Sequence, residues 1–302
     1  MILGVDIGGT KIAAGLVDGN AQVTKRIELP TRAQEGYAIS RGQVDAAIGL
    51  LVNSGATAIG ICAPGPLNPL TGMVINPPNL PGWRDIKLAE EITARFGLPC
   101  KLENDANAAA LAETLFGAAK GCKTVFYATL STGIGTGIII DGKIFRGMNG
   151  AAAEGGHVSI DYRNEIICEC GLRGCIEALA SGTAMARHAR GMLAAYPRTS
   201  LQEPITAQSI GIAAASGDAC ALRVIDETTT MLAAWLGGMI TLFDPEIVVL
   251  GGGVAQMGEM LFEPLRGKTA SHSINPYAGA VPIVPAMLLQ DSGIIGAAAV
   301  WL

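Results

Sequence analysis

Four side chains with metal-binding chemistry stand close together in the stretch EGGHVSIDYRNEIICECGLRGCIE, residues 154–177: His157, Cys168, Cys170 and Cys175. One imidazole and three thiolates, with no obvious position left for water, are what a structural zinc takes. The C-x-C-x4-C spacing, with Gly171 and Gly174 inside it, lets a short loop fold back on one ion. A redox disulfide would more typically present C-x-x-C, which is absent. The remaining alternative is a group of buried thiols without metal. Glu154 and Glu177 flank the cluster, so a bound ion would hold two carboxylates close in space.

A second candidate is LEND at 102–105, which ends a strand and precedes a helical stretch, Ala106–Phe116. Read alone it is a helix cap, with Asn104 or Asp105 satisfying free N–H groups of the first turn. Three Gly-rich turns also follow apolar strands: Gly8–Gly9, Gly133–Gly137 and Gly251–Gly253. GIGTGI is not a dinucleotide fingerprint, because that motif must open a helix and here a strand, IIIDG, follows. Each turn taken singly is equally well a hairpin or strand end. Together, and with Thr10 and Thr132 beside two of them, they offer N–H groups and hydroxyls to phosphate oxygens. Asp6 sits next to the first such turn. An acid beside a phosphate calls for a cation between them, which makes Asp6 a magnesium organiser. Lys11 either adds positive charge there or is a solvated hairpin lysine.

The elements that must carry these residues repeat. ILGVDIGG, KIAAGLVDG and VTKRIELP read as three strands joined by turns. Residues 39–53 read as helix, ATAIGICAPG as a buried strand, IKLAEEITARFG as a helix and CKLEND as a strand. KTVFYATLSTGIGTGIIIDGKIF then repeats the strand–turn–strand opening, with a further hairpin turn at Asp141–Gly142. Residues 206–243 read as largely helical, PEIVVLGGGV as a strand ending in glycines, and DSGIIGAAAVWL as a closing helix. Two similar halves imply a duplicated α/β fold with a cleft between them. Segment 64–83, rich in Pro, Gly and Asn, is expected to be irregular and functional. Gly65 and Asn79 in it are candidate substrate contacts, and Trp83 reads as an anchor for the loop.

The chain has 302 residues, half of them hydrophobic, enough for two domains. A net charge of −5 without basic runs argues against nucleic acid as a partner. The N-terminus lacks the pattern of a secretory signal, and no apolar run approaches ~18 residues, so no membrane span is expected and a cytoplasmic protein is. Cys62, Cys100, Cys122 and Cys220 lie isolated in apolar surroundings and read as inert core residues.

DIGGTK at 6–11, STGIGTG at 131–137 and LGGGV at 250–254 resemble the phosphate-1, phosphate-2 and adenosine motifs of the actin–hexokinase–Hsp70 ATPase superfamily. EGGH at 154–157 and CECGLRGCIEALASGTA at 168–184 resemble the signature of its ROK family, of repressors, open reading frames and kinases. The likeness runs from residue 2 to the C-terminal helix. It implies two ribonuclease-H-like α/β domains: a small one over 1–118, onto which 289–302 packs back, and a large one over 119–288 with the zinc site. It implies ATP-dependent transfer of the γ-phosphoryl group to the 6-hydroxyl of glucose. The alternative is an N-acetylmannosamine or other N-acetylhexosamine kinase. A sugar-responsive repressor without its DNA-binding domain is the lesser one, because the DxGGT strand begins at residue 2. NPPNLPGW and ASGTAMARHAR are more similar to the glucokinase branch.

The same resemblance implies roles for individual residues. Asp105 is the general base, and Asn104 holds neighbouring hydroxyls. Glu154, His157 and Glu177 contact the sugar, His157 through one ring nitrogen while the other binds zinc. Asp6, Gly8, Gly9, Thr10, Lys11, Thr132, Gly133, Gly252 and Gly253 serve ATP and magnesium. Gly65 and Asn79 complete the sugar side. A homodimer is implied, with ATP, Mg2+ and a structural Zn2+ as cofactors.

Overall fold

The structure, a computed structural model, describes residues 1–302. It opens with β1 (Ile2–Ile7), β2 (Lys11–Val17), β3 (Val23–Pro30), α1 (Tyr37–Leu51) and β4 (Ala58–Ala63). There follow β5 (Leu67–Asn68), β6 (Met73–Val74), α2 (Leu88–Phe96), β7 (Cys100–Asn104) and α3 (Asp105–Phe116). The second half carries β8 (Val125–Leu130), β9 (Ile134–Ile140), β10 (Lys143–Ile144), α4 (Ile176–Ala180) and α5 (Gly182–Met192). It continues through α6 (Ala207–Ala215), α7 (Ala219–Phe243), β11 (Ile247–Gly251), α8 (Glu259–Thr269), β12 (Ile283–Pro285) and α9 (Ser292–Ala299).

The expected duplication is visible in the sheets. One has the order β3-β2-β1-β4-β7, the other β10-β9-β8-β11-β12. In the first, β1 pairs antiparallel with β2 and parallel with β4, and β4 pairs parallel with β7. In the second, β11 lies parallel between β8 and β12. Each half thus begins with a hairpin and ends in parallel strands, which need crossover connections. No helix is long and apolar enough to cross a membrane.

The chain divides into two compact units. The first comprises Met1–Gly121, Gly137–Ala153 and Met287–Leu302. Its central strands are buried on both faces, which explains their nearly unbroken apolar runs. Leu3, Val5 and Ile7 pack with Val44 and Ile48 of α1. On the opposite side Ile294 and Ala298 of α9 meet Ala13 and Val17, and Ala297 meets Cys62 and Ala108. Residues 137–153 join this unit through β10, which packs on α3, and through an ion pair of Arg146 with Glu103. Buried Glu113 of α3 gathers three backbone N–H groups, from Ala118, Met287 and Leu288, and so pins the chain that leads into α9.

The second unit comprises Cys122–Thr136 and Glu154–Ala286. Its long helix α7 is started by Asp218, whose side chain accepts from Ala221 N. Trp235 of α7 packs edge-on against Phe126 of β8, ring centroids 5.5 Å apart.

One expectation needs correction. Segment 64–83 is not wholly irregular, because β5 and β6 form a two-residue antiparallel ribbon, Leu67 with Val74 and Asn68 with Met73. Buried Leu67 and Val74 drive it. Trp83 is fully buried as expected of an anchor, its indole N–H donating to Ser40 Oγ at 2.7 Å.

Candidate functional site

In the first unit, the turn after β1 is drawn tight by Gly8 N–H donating to Lys11 O at 2.9 Å. Buried Thr31 holds the same turn, its hydroxyl donating to Gly8 O at 2.6 Å and its N–H to Thr10 O at 2.9 Å. Asn79 lies against Gly9, where a β-carbon would come within 3.0 Å of Asn79 O. Asp6 is the penultimate residue of β1, and its Oδ1 accepts from the buried Cys62 thiol at 3.4 Å. Burial pushes the Asp6 carboxyl above its usual range, against the Cys62 hydrogen bond and the charge of Lys11. Lys11 itself turns to Glu28, 2.8 Å away, and is largely exposed.

Asn104 and Asp105 stand where β7 becomes α3. Asn104 is a true cap: its Oδ1 accepts from Ala106 N at 3.0 Å and Asn107 N at 3.1 Å. Asp105 is exposed at the first helical position, and its Oδ1 accepts from Ala106 N at 2.8 Å. Asn104 thus takes the capping position, and Asp105 is the exposed carboxylate beside it. Beneath them lies a residue that sequence reasoning missed. Glu103 is fully buried; its Oε1 accepts from Asn104 N and the Asn107 side chain, and its Oε2 from Arg146 Nε at 2.7 Å. Gly65 is half-buried in the short link between β4 and the β5–β6 ribbon.

In the second unit the EGGH segment is seated on β9. Gly155 N–H donates to Thr136 Oγ1 at 2.8 Å, and Trp235 donates to Gly155 O at 3.1 Å. A side chain at 156 would overlap Ile134 O, which is why two glycines precede His157. The cysteine loop returns under it: Cys168 N donates to Leu172 O, and Ser159 bridges to Cys175. Gly174 takes a φ of +71° in that turn, which a residue with a β-carbon rarely adopts.

His157 Nδ1 and the sulfurs of Cys168, Cys170 and Cys175 all lie within 4.8 Å of one another. Cys170 Sγ is 3.7 Å from Cys175 Sγ, and Cys168 Sγ is 3.6 Å from His157 Nδ1. A tetrahedral ion with bonds of about 2.3 Å to sulfur and about 2.0 Å to nitrogen has edges of about 3.8 Å and about 3.6 Å. These two separations match such edges, and three sulfurs with one imidazole are a donor set suited to a four-coordinate cation such as zinc. Without a cation, burial raises the Cys168 thiol and pushes that of Cys175 up to about 12. A bound cation inverts this preference, because coordination favours the thiolate. With Nδ1 turned to the sulfurs, Nε2 is the ring nitrogen that remains for another partner.

The two flanking glutamates differ. Glu154 is exposed, and its carboxyl is raised by desolvation and by the charge of Glu177, with His157 opposing. Glu177 is tied down: Oε2 accepts from Ile134 N at 2.8 Å, and Oε1 is 3.7 Å from Cys168 Sγ.

A cavity of about 780 Å³ opens in this same unit, large enough for a nucleotide. Thr132 of the STGIG turn and Gly253 of the glycine run line it, with Ser131, Thr183, Gln208 and Gln256. Gly133 and Gly252 lie outside the lining; Gly252 turns the chain at φ +85° against Leu130. Thr183 lies in the 168–184 signature segment, whereas Gln208 and Gln256 had no motif to announce them. They come from helix faces and a loop that only the fold brings together.

This arrangement has close parallels. The model of the ROK family matches residues 2–302. A glucokinase of Thermotoga maritima is 37% identical over 99% of this chain and 96% of its own. An N-acetylmannosamine kinase of Yersinia pseudotuberculosis is 35% identical over 98% of this chain and 96% of its own. The crystal structure of a ROK family glucokinase from Streptomyces griseus, in complex with glucose and AMPPNP, superposes with a TM-score of 0.86 at 35% identity, covering 99% of this chain and 98% of that one. Two actin-like α/β halves, the cysteine–histidine cluster and the glycine turns thus occur here along a chain that matches the family from end to end, and the protein belongs to the ROK family.

Proposed function

We propose that this chain is an ATP-dependent hexose kinase that phosphorylates the 6-hydroxyl of glucose. The observation that carries the proposal is the 780 Å³ cavity, to which Thr132 and Gly253 of two separate glycine motifs contribute. The full-length likeness to a glucokinase whose crystal holds glucose and AMPPNP supports the same reading.

Asp105 is the general base. Its exposed carboxylate accepts the proton of the sugar hydroxyl as that oxygen attacks the γ-phosphorus and the bond to the ADP oxygen breaks. Glu103 and Asn104 hold the start of α3, so that the carboxylate is placed before substrate arrives. Asn104, Glu154, His157 through Nε2, and Glu177 bind sugar hydroxyls, and Gly65 and Asn79 are further sugar contacts. Gly8, Gly9, Thr10, Thr132 and Gly133 hold phosphate oxygens, Gly252 and Gly253 the adenosine. Lys11, paired with Glu28, adds a positive charge that acts on Asp6.

Asp6 suits magnesium, which takes one or two carboxylates and completes its shell with water and phosphate oxygens. Asp6 would hold the ion where it would neutralise charge that builds up on the phosphates. His157, Cys168, Cys170 and Cys175 would hold a zinc ion, which would supply folding energy and orient His157. The family resemblance adds a homodimer and a cytoplasmic setting to the proposal.

A second reading, an N-acetylhexosamine kinase, rests on Ala151, Ala152 and Ala153 beside Glu154, small residues that leave room for an acetamido group at carbon 2. The test is kcat/KM with ATP and magnesium for glucose, N-acetylglucosamine and N-acetylmannosamine on one preparation. Glucose is expected to lead. A ten-fold preference for either acetylated sugar, equivalent to ~1.4 kcal/mol, moves the assignment to the second reading. Absence of sugar-stimulated ADP release with every hexose removes both.

A further inference from the structure

Two ties run from the cysteine cluster to the turn at 131–134. The first is Glu177. One oxygen accepts from Ile134 N at 2.8 Å, and the other faces Cys168 Sγ at 3.7 Å and His157 Nδ1 at 3.9 Å. The contact with the turn is tight enough that a β-carbon at 133 would overlap Glu177 Oε2. The second is the chain just beyond. Cys175 is the residue from which α4 starts, and α4 leads directly through Ser181 into α5. There Gly182 N–H donates to Ser131 O at 2.7 Å, and Thr183 N–H reaches Thr132 O at 3.5 Å. Ser131, Thr132, Gly182 and Thr183 all line the 780 Å³ cavity.

From this geometry we propose that the metal cluster holds the nucleotide-binding turn in its ligand-ready form, with Glu177 as the positioning residue that links the two. The proposal rests on the nucleotide reading of the cavity and goes beyond it by coupling that cavity to the metal. The cluster fixes Cys168, Cys175 and His157. Those residues confine Glu177 and the start of α4, and these in turn hold the backbone of 131–134. Release of the metal frees the cysteine loop and with it both ties. Coupling between two sites is reciprocal in free energy. Nucleotide must therefore tighten metal binding by the same factor by which metal tightens nucleotide binding.

The test measures ADP affinity by calorimetry on zinc-loaded protein and on protein stripped by a chelator, with zinc content read by elemental analysis. ADP is expected to bind at least ten-fold more weakly to the stripped form. Because stripped protein can unfold, the reciprocal measurement uses the loaded form alone: saturating ADP is expected to slow zinc extraction by chelator. Two substitutions separate positioning from mere structure. Glu177→Ala is expected to keep its zinc and lose at least ten-fold in ADP affinity. Glu177→Gln still accepts the Ile134 N–H and is expected to retain most of it. Zinc extraction unaffected by ADP, or wild-type ADP affinity in Glu177→Ala, overturns the coupling. Failure of the loaded wild-type protein to bind ADP at all overturns the nucleotide reading beneath it.

Discussion

Gly293, in the first turn of α9, leaves no room for a β-carbon beside Asp6: one placed there would overlap Oδ2 and Cγ and stand 2.9 Å from Cβ. The Cys62 thiol, buried between them, donates at 3.4 Å both to Asp6 Oδ1 and to Gly293 O. The last helix of the chain thus shapes the pocket of the first acidic residue. Gly293→Ala is expected to rotate the Asp6 carboxylate. Its folding cost should stay within about 1–3 kcal/mol, the usual range for overpacking. Its kinetic cost should appear as a raised magnesium requirement and a kcat/KM lowered ~10-fold or more, about 1.4 kcal/mol of transition-state binding. A magnesium titration at fixed ATP checks this, and an unchanged midpoint would separate Asp6 from the metal.

Arg146→Ala removes the partner of a fully buried carboxylate, Glu103 Oε2. Breaking such a pair typically costs 3–5 kcal/mol. Arg146 is 32% exposed, so water can partly replace it, and about 2–4 kcal/mol is expected here. Urea unfolding measures it. Turnover should fall as well, because Glu103 also accepts from Asn104 N next to Asp105. The double substitution Glu103→Gln with Arg146→Ala should recover part of the stability, since no buried charge is then left unpaired.

Asp218 gives a pH prediction. Burial alone would raise its carboxyl. Hydrogen bonds from Ser200, Ala221 and Thr199 outweigh burial and hold it at about 2. Its folded value lies below the unfolded one, so its contribution to stability is present above about pH 4 and is lost as pH falls towards 2. Asp218→Ala should be less stable than the parent at neutral pH, by roughly 1 kcal/mol as for other helix caps. The difference should shrink as acid is added. Thermal unfolding of both proteins between pH 7 and pH 3 tests the sign.

Much of the architecture was legible because it is periodic or locally marked. The two hairpins at the start of each half, the helix at 105–116 and the long helical run through α6 and α7 all carry apolar spacing or glycine turns. The cysteine loop was legible because four soft donors in one short stretch have few other uses. What escaped has no local signature. Glu103 reads as an ordinary strand residue, and Arg146, 43 positions away, as an ordinary loop residue. Gln208 and Gln256 share a cavity with Thr183 only after α5 and α6 have packed. The β5–β6 ribbon has two residues in each strand, too few for an alternation to register. Lys11 left two readings open, and its partner Glu28, on the neighbouring strand, carries no mark in the sequence.

The central claim is that Asp105, exposed at the start of α3, takes the proton from the sugar. Asp105→Asn keeps the shape and removes the base. Its turnover, measured as ADP release at saturating glucose and ATP, tests that claim most directly when glucose binding is measured on the same preparation. The account predicts a fall in kcat of at least ~100-fold, the scale of a lost general base, with glucose affinity largely kept. Near-normal turnover would contradict it and leave Asp105 as a helix-start residue only.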